Sequence, residues 1–299
     1  MSRILLAYDD SAGSRVALQY ACALAGTGAA LAVAHASKET NFVASAAMAG
    51  AFPPIDPSAM IAAVDEQGDL VLKAALAACA AHGIKAEKIF VHDSPGEGIV
   101  AAAQKMKPDI IIVGTHGRRG LARTILGSVA ERILRTVGVP VLVVTRHAKP
   151  PPKERAFARA LVAVDDSEHA KTALAFAVQL AKRLGTRLTL CSVVDLSGLE
   201  ATPAGVYSYE PSLHTAAVNL SRCVKSTTGL GPFLDDEVVI KGEPSAAIEH
   251  TAMQRNCDLI VVGSHSRQGL RRALEGSVAE TLARTSAVPV LVVPTQHAA

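Results

Sequence analysis

Tryptophan is missing and aromatic residues make up only 3% of the 299 positions, so the core has to be built from Val, Leu, Ile and Ala, within a hydrophobic share of 49%. That is the composition of parallel sheets covered by helices, and it favours an α/β fold. No apolar run approaches the ~20 residues of a membrane span, and the opening MSRILLAYDD meets acidic residues too early for the core of a leader. The expected location is the cytoplasm, without membrane contact. Charge of one sign is not concentrated either. The formal charge is +3 with Lys and Arg scattered, which gives no electrostatic footprint for nucleic acid. The five cysteines (Cys22, Cys79, Cys191, Cys223, Cys257) form no CxxC and sit in apolar patterns, so they read as reduced core residues. No His, Cys and carboxylate cluster has zinc spacing, and no Asp, Ser or Cys stands where it would define a triad with His116 or His265.

What the chain does have is a repeat. GVPVLVV (138–144) returns as AVPVLVV (287–293), and Gly127-Ser128 returns as Gly276-Ser277, both at an offset of 149. ILLAYDDS (4–11) returns as ALVAVDDS (160–167) at an offset of 156, so the second copy is about seven residues shorter in between. A period this long signals duplicated domains. Between the copies, TRHAKPPPKERA (145–156) holds three consecutive prolines among charged side chains and reads as a stiff exposed linker. The expected division is a first domain over 1–148, a linker over 149–158 and a second domain over 159–299.

In the first half, Arg3 to Tyr8, Ala30 to His35, Glu87 to His92, Asp109 to Val113 and Val139 to Val144 are short aliphatic runs that predict strands. SRVALQYACALAG and EQGDLVLKAALAACAAHG place apolar residues at three and four spacing and end in glycine, which predicts helices. The alternation gives a doubly wound parallel sheet, and the second half repeats it with strands near 159–164, 187–193, 236–240, 257–263 and 288–293. Two stretches, 40–59 and 197–212, follow the second strand of each half and read as covering loops with short helical pieces.

The stretch GTHGRRGLARTILGS (114–128) packs four glycines and three arginines into fifteen residues after a buried strand. A doubly wound sheet binds ligands at the carboxyl ends of its strands where the strand order reverses. Asp9 ends the first strand and Gly114 the fourth; if those strands are neighbours, both face one crevice. Ser128 and Glu131 in the first half, and Ser277 and Glu280 in the second, have the spacing of a capping box, which would start a helix and aim its free N–H groups outward at an anion. Gly114, Gly117 and Gly127 would keep side chains out of the way of an oxyanion, and Arg118, Arg119 and Arg123 would add positive charge. The alternative is that the glycines only make a tight strand-to-helix turn. Asp9 and Asp165 likewise admit a second reading, as caps of the helices that follow. The stretch is neither GxGxxG nor GxxxxGK[ST], which argues against a nicotinamide site and a P-loop phosphotransferase. His35, within a strand, reads as a core histidine.

Gly114, Gly117, Gly127 and Ser128 match in full the GxxGxxxxxxxxxG[ST] pattern of the ATP-binding members of the universal stress protein family, which both halves of this chain resemble. ILLAYDDS is similar to the family's first strand, whose terminal aspartate contacts the adenosine, here Asp9. His35-Ala36 resembles the end of its second strand, where backbone groups meet the adenine edge. The resemblance implies a nucleotide site of Asp9, Ala36, Gly114, Gly117, Arg118, Gly127, Ser128 and Val129. It also implies a possible second site of Asp165, Val193, Gly263, Gly276, Ser277 and Val278. The second copy departs in having Ser266 where the second glycine belongs. The cofactor implied is ATP, with Mg²⁺ entering on the nucleotide. Pairing of the VPVLVV strands is also implied, in a homodimer or within one chain. The leading functional expectation is an ATP-binding stress regulator that works through conformation or an unidentified protein partner, with at most slow hydrolysis because no general base is evident. A nucleotide-independent scaffold and a hydrolase or nucleotidyl-transfer enzyme are the alternatives.

Overall fold

The computed structural model describes residues 1–37, 57–115, 126–145, 148–152, 155–195, 210–264 and 278–295. The chain divides into two compact units, Met1–Arg146 and His147–Ala299. In the first unit the elements run β1 (Arg3–Ala7), α1 (Ala12–Ala25), β2 (Ala30–Ala36), α2 (Pro57–Ala81), β3 (Ala86–Val91), α3 (Pro95–Met106), β4 (Ile110–Gly114), α4 (Ser128–Thr136) and β5 (Val141–Val144). The second unit follows with β6 (Arg159–Ala163), α5 (Glu168–Leu184), β7 (Arg187–Val194), α6 (Glu210–Ser226), a 3₁₀ turn at Gly231–Phe233, and β8 (Leu234–Lys241). It closes with α7 (Pro244–Gln254), β9 (Leu259–Ser264), α8 (Val278–Thr285) and β10 (Val290–Pro294). Among the described residues no helix is long and apolar enough to cross a membrane.

Each unit is an α/β domain on a parallel sheet. The strand order is β3-β2-β1-β4-β5 in the first and β8-β7-β6-β9-β10 in the second. In both, the first strand lies at the centre, with Leu5 opposite Ala32 on one side and Ile111 on the other. Burial on both faces requires strands without polar alternation, and Leu5, Leu6, Ile111, Ile112, Leu161 and Val261 are all fully buried. Small residues on α1 (Ala17, Ala21, Ala25) and α5 (Ala173, Ala177, Ala181) are buried where these helices meet the sheets. Ser11 caps α1 by accepting the Ser14 N–H at 3.2 Å, and Ser167 caps α5 by accepting the Ala170 N–H at 3.2 Å. At the opposite ends of the strands, the Asp109 carboxylate accepts the N–H groups of Ser2 and Arg3, and Asp258 accepts those of Ala158 and Arg159.

Three sequence expectations change. Helix α2 begins at Pro57 and not near residue 66, and α6 begins at Glu210, so the ends of both expected loops are helical; their remainders, 40–56 and 197–209, lie outside the described residues. The end of the expected exposed linker is interior, since Ala156 and Phe157 are 0% and 1% exposed and the Phe157 carbonyl accepts the Thr186 hydroxyl. The capping box does not form in the first unit. Gly127, not Ser128, is the N-cap of α4, no side chain caps the helix, and Glu131 instead pairs with Arg135 at 3.1 Å. One residue of register decides this, because a serine inside the first turn cannot reach back to that turn's amides. Ser277 lies outside the described residues.

Candidate functional site

In each sheet the strand order reverses at the centre, between β1 and β4 and between β6 and β9, which are parallel neighbours in both units. Loops leaving the carboxyl ends of such strands go to opposite faces of the sheet and open a crevice. In the first unit, Tyr8 and Asp9 leave β1 on one side of that point, and Gly114 ends β4 on the other.

Asp9 holds its own turn, its Oδ1 accepting the Ser11 N–H at 3.1 Å. Asp10 adopts a left-handed backbone (φ 63°) and is clamped by the Tyr8 hydroxyl at 2.9 Å and by the Arg15 guanidinium through both carboxylate oxygens at 2.9 and 3.0 Å. Burial, reinforced by the hydrogen bond to Asp10, pushes the Tyr8 hydroxyl up to about 12, so it stays a donor. The second unit has Val164 and Asp166 at these positions, and a different contact, Arg222 to Asp166 at 3.9 Å. His35 uses Nδ1 on the Tyr8 carbonyl at 2.8 Å and stacks on Phe90, which fixes it as a structural residue.

Gly114 has a packing duty that was not apparent from its motif. A Cβ there would lie 2.6 Å from the Gly13 carbonyl carbon and 2.7 Å from the Ser14 nitrogen, so the glycine lets α1 cross close to β4. Gly263 serves the same end in the second unit, where a Cβ would meet the His169 carbonyl oxygen at 2.5 Å. Two further glycines shape the crevice and were missed in the sequence. A Cβ on Gly98 would come within 2.7 Å of the Ala36 Cβ, and one on Gly96 within 3.0 Å of Arg132 and 4.0 Å of the Ser128 carbonyl. Helix α3 therefore touches both Ala36 and the first turn of α4, and the Glu97–Arg132 pair at 2.8 Å joins the two helices. The signal was present as PGEG at a helix start, a Gly-x-Gly where helix propensity alone would disfavour both glycines.

Gly127, Ser128 and Val129 stand at the amino end of α4, with Ser128 exposed and its neighbours partly so. The N-cap glycine has no side chain to cap that end, and no side-chain cap is made to it among the described residues, an arrangement whose free amide donors attract anions. Gly117 and Arg118 lie outside the described residues, as do Gly276 and Ser277. In the second unit a cavity of about 270 Å³ brings together Asp165, Val193, Gly263 and Val278. Its floor is apolar, from Cys191, Ile248 and Val262, while Asp165, Ser167 and Ser264 give it a polar side. Such a mix suits a small organic ligand with a few polar groups. Asp165 again holds its own turn, accepting the Ser167 N–H at 2.9 Å.

The model of the universal stress protein family matches residues 1–145 and again residues 156–294. The chain belongs to that family. It is a tandem universal stress protein, the family model matching once in each half. A universal stress protein of Mycobacterium tuberculosis is 28% identical over 216 residues, which cover 70% of this chain and 68% of that one. Another, from Methanocaldococcus jannaschii, is 40% identical over 84 residues, 28% of this chain and 49% of its relative. The crystal structure of a universal stress protein from Archaeoglobus fulgidus aligns over 98% of this chain and 96% of its own, with a TM-score of 0.67 at 23% identity, and so shares the fold. In this universal stress protein the two copies differ within the glycine motif, Ser266 standing in the second where the first has Gly117.

Proposed function

We propose that this tandem universal stress protein binds an adenine nucleotide, ATP, in the crevice of its first unit and acts as a stress-response regulator. The observation that carries the reading is the open first turn of α4. Its N-cap is a glycine, no side chain among the described residues caps it, and it follows the glycine and arginine stretch that begins at the strand switch point. A bound phosphate would satisfy those amides and complement the positive end of the helix, an interaction worth about 0.3–1 kcal/mol for each favourable charge. Asp9 would accept a ribose hydroxyl and the backbone at Ala36 would meet the adenine edge, with Gly117, Arg118 and Ser128 completing the phosphate cradle. Mg²⁺ would travel with the phosphate oxygens, since that ion needs few protein ligands. The sequence offers no evident general base for water, so hydrolysis would be slow, and the output would be a change of conformation or of protein partner.

A second reading, a nucleotide-independent scaffold, draws support from Gly114 and Asp9, each of which has a structural duty that needs no ligand. Acid extraction of the purified protein followed by mass spectrometry separates the two. The nucleotide reading expects release of an adenine nucleotide, or a saturable titration where none co-purifies; an empty extract together with no response to added ATP, ADP or AMP overturns it.

A further inference from the structure

Two of the five cysteines face each other in the first unit. Cys22, in the last turn of α1, and Cys79, in the last turn of α2, are buried with their sulfurs 3.7 Å apart, and the Cys22 thiol donates to Cys79. Nothing in the nucleotide reading uses them. We infer that Cys22 and Cys79 form an oxidisable dithiol, a modification site at which a hydroperoxide closes a disulfide between α1 and α2.

A disulfide needs sulfurs about 2.05 Å apart, so the pair must close by roughly 1.7 Å, within reach of side-chain rotation and a small helix shift. Both residues sit where a helix ends: the Cys22 carbonyl accepts the Gly26 N–H, and the Cys79 carbonyl accepts the N–H groups of His82 and Ile84. Ala80 to Gly83 are exposed, and terminal turns open at low cost, which gives a small oxidant its path to buried sulfur. The shared hydrogen bond also divides the roles. It holds Cys22 as a thiol, well above the usual range, and draws Cys79 below it. At Cys191 and Cys257 burial dominates and pushes the thiols up to about 12 and about 11, at Cys257 in spite of a hydrogen bond with Thr189 that lowers it.

The chemistry balances with the hydroperoxide alone. The Cys79 sulfur attacks the terminal peroxide oxygen and the O–O bond breaks. The departing alkoxide or hydroxide takes the thiol proton, leaving Cys79 as a sulfenic acid. The Cys22 sulfur then attacks the Cys79 sulfur, the S–O bond breaks, and hydroxide leaves with the Cys22 proton as water. Two thiols give up two electrons and two protons, and the hydroperoxide is reduced to an alcohol, or to water if it is hydrogen peroxide, plus one further water.

The test is to treat the whole chain with hydrogen peroxide, unfold it in iodoacetamide, and measure intact mass and proteolytic fragments. The expected result is a fall in alkylated cysteines from five to three, a cross-linked peptide joining Cys22 to Cys79, and full reversal by a dithiol reductant. Cys22→Ser should abolish the cross-link and leave Cys79 alone as sulfenic acid or its thiol-reactive product. Five alkylated cysteines after oxidation, or losses that fall on Cys191, Cys223 or Cys257, would overturn the inference, as would irreversible oxidation of Cys79 without a cross-link. The wild-type measurement decides even where a variant folds poorly, and its outcome does not depend on whether nucleotide binds.

Discussion

A methyl group added at Gly114 would press on the backbone of Gly13 and Ser14, and one at Gly263 on the backbone of His169. Neither contact has a flexible side chain that can swing away, so each Gly→Ala change should cost about 1–3 kcal/mol, as overpacked cores do. Denaturant unfolding would read this as a lower midpoint at unchanged slope. A loss below about 0.5 kcal/mol, the range of ordinary surface changes, would mean that α1 and α5 can retreat and that these glycines are not packing residues. The sequence made Gly114 conspicuous and suggested bare backbone for a phosphate, because motif spacing is local information. What the glycine touches lies about a hundred residues away. The same limit hid Asp10. DDS reads as one capping unit, yet only Asp9 holds the turn, while Asp10 takes the left-handed backbone and binds Tyr8 and Arg15.

At the scale of elements, the strands were legible to within two or three residues, because unbroken aliphatic runs in a chain this poor in aromatics have few other uses. Helix starts were less legible. In AMIAAVD, alanine gives no polar face against which to measure periodicity, so α2 was recognised only from where its charged face begins. Ser11 and Ser128, each at the start of a helix in the first unit, separate clearly by mutation. Ser11→Ala removes a side chain that accepts an N–H in a buried setting and should cost about 0.5–2 kcal/mol. Ser128→Ala, in a helix that Ser128 does not cap, should stay within about 0.5 kcal/mol. Equal losses in thermal unfolding would restore the capping box. The paired strand ends make a pH prediction. Burial alone would raise Asp109, but the N–H groups of Ser2 and Arg3 outweigh it and hold the carboxyl below the usual range. Its stabilising contribution is therefore present above the ordinary value of about 3.9 and is lost as pH falls through the lowered one. At Asp258, burial outweighs the N–H groups of Ala158 and Arg159 and the carboxyl is raised, so its ionisation opposes folding as pH climbs through the window above about 3.9. Stability measured from pH 3 to 7 should show the cost of Asp109→Asn growing with pH, while that of Asp258→Asn shrinks. Parallel curves would contradict both assignments.

For the whole molecule, the duplication stood out in the sequence because VPVLVV and Gly-Ser recur at one fixed offset, and the structure gives each unit the same strand order about its first strand. The units diverge at the crevice, where Tyr8, Asp10 and Arg15 form a cluster that the second unit lacks and Ser266 replaces a glycine of the motif. A Cβ that strains the turn or meets a phosphate costs roughly 1–3 kcal/mol, about ten- to hundredfold in affinity. Ser266→Gly should therefore create or tighten a second ATP site, and isolated halves of equal affinity would show that Ser266 is accommodated. The central claim is that the amino end of α4 holds phosphate. Gly127 tests it directly, because its backbone angles, φ −58° and ψ 140°, are open to any residue, and a branched side chain there blocks the approach of an oxyanion. Calorimetric titration of ATP into the whole chain and into Gly127→Val, with helicity checked by far-UV circular dichroism, should give one tight site in the former and at least a tenfold weaker one in the folded variant. An unchanged affinity in Gly127→Val, or no binding by the parent chain, would contradict the account.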